Sequence, residues 1–187
     1  KKSLSEVEDL QFVTLTIPNV KGDNLRSTIE LMGKVFRRIN RNLYKTYGLK
    51  INGIRKLEAT YNFRADTYHP HYHLLVGGRD VAEKVVSLWL GAFKEATKEA
   101  QDVRPADENA VVELFKYFTK MVTKEGFSAK AQDTIFQAVK HKKIIQHFGS
   151  VKPCKDVSED ELEASLIGQE VDFKSDQKEV YNWKQEY

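Results

Sequence analysis

Residues 68–76 read Tyr-His-Pro-His-Tyr-His-Leu-Leu-Val, and three of the chain's five histidines fall inside that run. Pro70 to Val76 reads as a strand that ends at Gly77-Gly78. Side chains alternate along a strand, so His71 and His73 project from one face a short distance apart. Two imidazoles placed in that way form a natural chelate for a metal ion. Leu74 and Val76 help anchor the strand in the body. Ile54 to Asn62 is a second strand, and the polar turn Phe63 to Tyr68 joins the two as an antiparallel hairpin. Glu58 lies near the middle of that partner strand. A carboxylate there can join His71 and His73 and leave coordination positions open, which marks a catalytic rather than a structural site. A salt bridge from Glu58 to a cross-strand base is the plainer alternative. His69 has the same parity as His71, but Pro70 puts it at the strand entry and makes it a weaker ligand candidate.

The remaining elements surround that hairpin. Gln11 to Ile17 is rich in β-branched and aromatic residues and stops at Pro18-Asn19, as a strand does. Asp23 is then the expected N-cap of a helix with Leu25, Ile29, Met32, Phe36, Ile39 and Leu43 on one face and Gly48 as its stop. Asp80 and Glu83 resemble a capping box opening a helix with Val81, Val85, Leu88 and Ala92 on one face. A short strand is expected at Gln101 to Arg104. Asp107 is expected to cap a helix over Glu108 to Val122. A further helix follows around Ala129 to Lys140, then a short strand around Lys143 to Phe148. Ser158 with Glu161 is a second capping box. Interspersed helices and antiparallel strands predict an α+β fold.

The chain has 187 residues, of which 41% are hydrophobic, enough for a real core and too many for a wholly disordered protein. No apolar run approaches the length of a membrane span. The single cysteine, Cys154, excludes an internal disulfide framework and a Cys-based zinc finger within these residues. The chain begins at Lys1 with no secretory pattern, which predicts a trimmed intracellular protein. Its net charge of +3 is unevenly distributed. Residues 151–187 hold five basic and ten acidic residues, a net of −5, and the preceding body carries +8. Residues 1–150 are therefore read as the functional domain and 151–187 as an acidic extension. A basic body suggests a polyanion partner, nucleic acid first. Lys34, Arg37, Arg38 and Arg41 on the first helix, with Lys140, Lys142 and Lys143, are the candidate contacts to a DNA backbone.

A second constellation lies further along. Glu113, Tyr117, Lys120 and Lys124 fall at i, i+4, i+7 and i+11 of the expected helix, on a face away from the stripe centred on Phe118. A phenol with a pKa of about 10 is a weak nucleophile at neutral pH. A neighbouring ammonium favours the phenolate, and a metal-bound electrophile lowers the barrier further. Taken alone, an exposed helical tyrosine with i,i+4 charge pairs is the better explanation of this stretch.

The order of these motifs is more specific than any one of them. A Phe12-Val13-Thr14-Leu15-Thr16 strand precedes a Glu-bearing strand, His71-Tyr72-His73 and a helix with Tyr117-x-x-Lys120. That order resembles the rolling-circle replication initiators of small bacterial plasmids. These belong to the histidine–hydrophobic–histidine (HUH) endonuclease superfamily. The resemblance covers roughly residues 10–150, including the basic segment Ala138 to Gly149, and one plasmid branch carries a Glu four residues before the tyrosine. It implies a central antiparallel β-sheet flanked by helices, the HUH nuclease or RRM-like fold. It implies a divalent metal, Mg²⁺ or Mn²⁺, held by His71, His73 and Glu58. Tyr117, assisted by Lys120, would attack single-stranded DNA, leaving a 5′-phosphotyrosine and a 3′-OH primer. Glu113 would activate water for the terminating cleavage. The implied partners are single-stranded DNA, a plasmid origin hairpin and a host helicase, with no membrane, in a bacterial cytoplasm. A transposase of the same superfamily is the nearest alternative, and a decayed DNA-binding module is another. A cupin-like metal oxygenase fits poorly, because the positions where cupins place their Glu are Gly77 and Gly78.

Overall fold

Eleven alternating residues, Thr67–Gly77, form the central strand of the molecule. A computed structural model of the chain describes residues 4–107, 110, 114 and 128–152. Five strands form one antiparallel sheet: β1 (Leu10–Thr16), β2 (Gly53–Asn62), β3 (Thr67–Gly77), β4 (Asp102–Pro105) and β5 (Ile145–Phe148). Their order is β4-β1-β3-β2-β5. Three α-helices lie wholly within the described residues: α1 (Gly22–Tyr47), α2 (Arg79–Ala92) and α3 (Ala129–Val139). Among the described residues the sheet ends at β4 and β5 and does not close into a barrel, so the α+β expectation holds and the cupin alternative falls. No helix among the described residues is long and apolar enough to cross a membrane.

Period-two alternation sorts the two faces. Val13, Leu15, Leu57, Tyr72, Leu74 and Val76 point to one side and form the main core with Leu25, Met32 and Phe36 of α1 and Val85 and Trp89 of α2. Trp89 is fully buried, and its indole N–H donates to the Thr16 carbonyl at 2.9 Å. Phe12, Ile54 and Leu75 point to the other side, where Ala110, Leu114 and Val151 cover them. Thr14, Lys56, Glu58, His71 and His73 share this second face, because the register pairs His73 with Thr14 and Lys56, and His71 with Thr16 and Glu58.

The β2–β3 turn is closed by Asn62, whose side-chain oxygen accepts from the N–H groups of Arg64 and Ala65, both at 3.1 Å. That turn fixes which residue of β2 meets which residue of β3. Gly48 ends α1 in the left-handed region at φ 68°, with the Leu49 N–H reaching back to the Leu43 carbonyl.

Two capping expectations are corrected. α1 starts at Gly22, so Lys21 is its N-cap and Asp23 lies inside the first turn, where the helix dipole favours its charge. α2 starts at Arg79, after Gly78, so Asp80 and Glu83 do not form a box. The first N–H of α2, that of Arg79, is satisfied by Asp9, whose carboxylate accepts it at 2.8 Å. Glu83 pairs with the Arg79 side chain instead, also at 2.8 Å. Asp107 does accept from the Ala110 N–H at 2.7 Å, as a cap would. Ala110 and Leu114 are the only described residues of the helix it was expected to open. The Ser158–Glu161 box and nearly all of the acidic extension lie outside the described residues.

Candidate metal centre

The hairpin register puts Glu58 directly across from His71, with His73 two residues further on the same face. One Glu58 oxygen, Oε2, is 3.6 Å from His71 Nε2 and 3.4 Å from His73 Nε2. The donor atoms of these three residues all lie within 4.8 Å of one another. The imidazoles are 12% exposed and the carboxylate 30%, so the cluster is shielded yet reachable.

The outer nitrogens explain why the inner ones converge. His71 Nδ1 is 3.1 Å from the His69 carbonyl, which only accepts, so the proton of a neutral His71 ring belongs on Nδ1. His73 Nδ1 is 3.2 Å from the Thr14 hydroxyl. Phe12 stacks against His73 at 5.2 Å between ring centroids. Both Nε2 atoms are thereby aimed at the same carboxylate oxygen. A lone pair on His71 Nε2 facing that oxygen is unfavourable unless a cation lies between them, either a proton or a metal ion. Two imidazole nitrogens and one carboxylate suit a divalent first-row metal and leave positions open. Imidazole also suits Zn, Ni or Co, so the donor set alone does not select the ion.

Electrostatics keep the carboxylate ionised. Hydrogen bonding from His71, opposed by burial and aided by the charge of Lys56 and the two imidazoles, holds the Glu58 carboxyl at about 2. Its folded value lies below the ordinary 4.5, so its contribution to stability is present above that value and is lost as pH falls toward 2. Without metal, the wild-type protein is expected to lose stability between pH 4.5 and pH 2, and Glu58→Gln to show a flatter profile there. Urea unfolding of both proteins across that range checks the sign.

Two residues at the site were not singled out in the sequence. Lys56 is buried on the same face, with its ammonium 3.6 Å from Glu58 Oε2. The salt bridge weighed for Glu58 therefore exists beside the histidine cluster, along its own strand rather than across the hairpin. Thr14 orients His73. The alternation of Thr14 and Thr16 with Phe12-Val13-Leu15 carried that signal, because a polar residue in the interior of a strand needs a partner. His69 is on the same face, 5.3 Å from the His71 ring, and burial pushes its imidazole below the ordinary value. Its contribution to the cluster is its backbone carbonyl.

The other expected site residues are placed apart or lie outside the description. Glu113, Tyr117 and Lys120 lie outside the described residues. Arg37, Arg38 and Arg41 are exposed on α1, which packs on the sheet face opposite the cluster through contacts such as Phe36 on Tyr72. Lys142 is held by Glu30 of α1 at 2.7 Å, whereas Lys140 and Lys143 are exposed.

Fold and site together define an open-sheet α+β protein with a His-His-Glu cluster on one sheet face. Residues 2–78, which carry β1, the hairpin and the whole cluster, match the family described as "Replication protein". A "Protein rep" of Staphylococcus aureus is 31% identical over 62% of this chain and 56% of its own. A "Protein rep" of Bacillus amyloliquefaciens is 33% identical over 58% of this chain and 40% of its own. A "Replication protein" of Staphylococcus aureus is 27% identical over 92% of this chain and 86% of its own. The chain is thus similar, over part of its length, to proteins described as Rep or replication proteins. It spans about half the length of the first two of these relatives. No solved structure matches it significantly.

Proposed function

We propose that the chain initiates rolling-circle replication by nicking single-stranded DNA at a plasmid origin through a covalent tyrosine link. The observation that supports this reading most is the convergence of His71 Nε2, His73 Nε2 and Glu58 Oε2 in a chain related to replication proteins. Mg²⁺ or Mn²⁺ held by these three residues would polarise the non-bridging oxygens of a scissile phosphate. Thr14 and the His69 carbonyl keep the two rings in their ligating orientation. Tyr117 gives up its phenolic proton, helped by the charge of Lys120, and its oxygen bonds to phosphorus. The bond from phosphorus to the 3′ oxygen breaks, and that oxygen takes a proton to become the 3′-OH primer. The 5′ side stays attached to Tyr117 as a phosphodiester. The partners are single-stranded origin DNA and, during strand displacement, a host helicase.

The test is to incubate the protein with labelled single-stranded origin DNA and Mn²⁺ and run a denaturing gel. A shifted, protease-sensitive band supports covalent nicking. Free cleaved product with no adduct would point to hydrolysis, and no cleavage at all to a binding module. A transposase of the same superfamily would also form the adduct, but would join its cut strand to a second target site.

Ending the cycle requires a second cleavage after Tyr117 is already occupied. Glu113 falls one turn before Tyr117 on the expected helix, within reach of a water beside the same phosphate. Glu113→Ala is expected to leave the first nick nearly intact and to impair hydrolytic termination. The product strands should then be over-long multimers, read on an alkaline gel. Unit-length products would assign termination to a second subunit's tyrosine.

A further inference from the structure

We infer that the outward face of α1 from Lys34 to Lys45 is a docking surface for double-stranded DNA, separate from the His-His-Glu face. From Leu31 to Tyr47 the helix holds five basic residues, Lys34, Arg37, Arg38, Arg41 and Lys45, and no acidic one. At 3.6 residues per turn these five fall within roughly a 100° arc opposite the buried stripe of Met32, Val35, Phe36, Ile39 and Leu43. They span about 17 Å of helix axis. Among the described residues, no ion pair engages Arg37, Arg38 or Arg41. The nearest acidic residue along the helix, Glu30, is already neutralised by Lys142 at 2.7 Å and Arg26 at 3.6 Å.

Geometry separates this face from the metal cluster. Val13, Tyr72 and Leu74 on one side of the sheet meet α1, and Thr14, His71 and His73 on the other side build the cluster. The sheet therefore lies between the arginines and the scissile position, and for Arg38 and Arg41 the body of the helix does too, whereas the Arg37 guanidinium reaches back past Gly33 toward the Tyr72 hydroxyl. For Arg38 and Arg41 the helix adds a thickness of about 10 Å by itself. These cations cannot hold the phosphate being cut, so they act on another stretch of nucleic acid.

The chemistry of the face favours a duplex over a single strand. Single strands are gripped by open aromatic platforms on which bases stack. The two exposed tyrosines here already carry a cation over the ring, Lys50 at 5.1 Å from Tyr44 and Lys84 at 4.5 Å from Tyr47. What remains is a straight, rigid row of cations, which suits the regularly spaced phosphates of a stiff duplex. Arg38 and Asn42 also line a groove with Ser87 and Gly91 of α2, which adds polar donors along one border. The choice of DNA among polyanions rests on the replication-protein reading.

The test is fluorescence anisotropy on the full chain, in EDTA so that no cleavage intervenes, with a labelled duplex of about 20 base pairs and a short single strand. The combined Arg37→Ala, Arg38→Ala, Arg41→Ala variant is expected to bind the duplex at least about tenfold more weakly. Its salt slope should be flatter by about 2 to 3, and the single strand should bind as to wild type. The matching Arg→Lys variant keeps the charges and is expected to bind the duplex nearly as wild type does. Unchanged duplex affinity and slope in the alanine variant would overturn the proposal. So would an equal loss of single-strand binding, or a lysine variant as weak as the alanine one. None of these readouts depends on nicking, so a protein that fails to cleave would leave this inference standing.

Discussion

Replacing Tyr117 by phenylalanine is expected to eliminate the covalent protein–DNA adduct. The change keeps the ring and removes only the oxygen, so the cost to folding is small and a loss of adduct reads as a loss of nucleophile. Water activated by Glu113 would leave a free 5′-phosphate, and the products are distinguishable on one denaturing gel. Binding of single-stranded DNA should stay within about twofold of wild type, since phosphate contacts carry most of the affinity. Normal adduct formation by Tyr117→Phe would transfer the nucleophile's role to another residue.

His73→Ala is expected to have a comparable effect by a different route. In the proposed site His73 would supply one of three donors, its orientation fixed by Thr14 at 3.2 Å and its ring packed on Phe12. Removing it leaves one imidazole and one carboxylate, which hold a divalent ion only weakly against water. Cleavage in Mn²⁺ should fall at least about 100-fold, because loss of a ligand exceeds the 10- to 100-fold cost usual for an outer-shell partner. Raising Mn²⁺ concentration should recover part of the loss. Single-strand binding in EDTA should be close to wild type. A His73→Ala protein that cleaves normally would remove this histidine from the metal site.

Much of this site was legible because strand geometry is simple. Alternation alone put His71 and His73 on one face, and the short polar turn made Glu58 a cross-strand neighbour. The exact pairing of Glu58 with His71 came from the Asn62-closed turn, a local feature that sets register. Lys56 was invisible for a different reason. A lysine next to an arginine in a strand reads as solvated, yet Arg55 and Lys56 are both buried, on opposite faces. Arg55 is held by tertiary contacts with Phe36 at 4.6 Å and Tyr72 at 4.2 Å, and by Gln146, which no local pattern announces. The capping of α2 by Asp9 was missed on the same ground: the acceptor comes from 70 residues away. The position of Arg37, Arg38 and Arg41 relative to the cluster likewise follows from which sheet face α1 covers, and helical periodicity does not determine that.

Peptide mapping of the trapped adduct tests most directly whether Tyr117 attacks DNA beside the Glu58–His71–His73 cluster. Trypsin cuts after Lys116 and Lys120, so Tyr117 is released in Tyr117-Phe118-Thr119-Lys120, whereas Tyr68 and Tyr72 travel together in the peptide Ala65 to Arg79. All nucleotide mass is expected on the Tyr117 peptide, and only when Mn²⁺ or Mg²⁺ is present. Nucleotide mass on the Ala65–Arg79 peptide, or an adduct that forms equally well in EDTA, would contradict it.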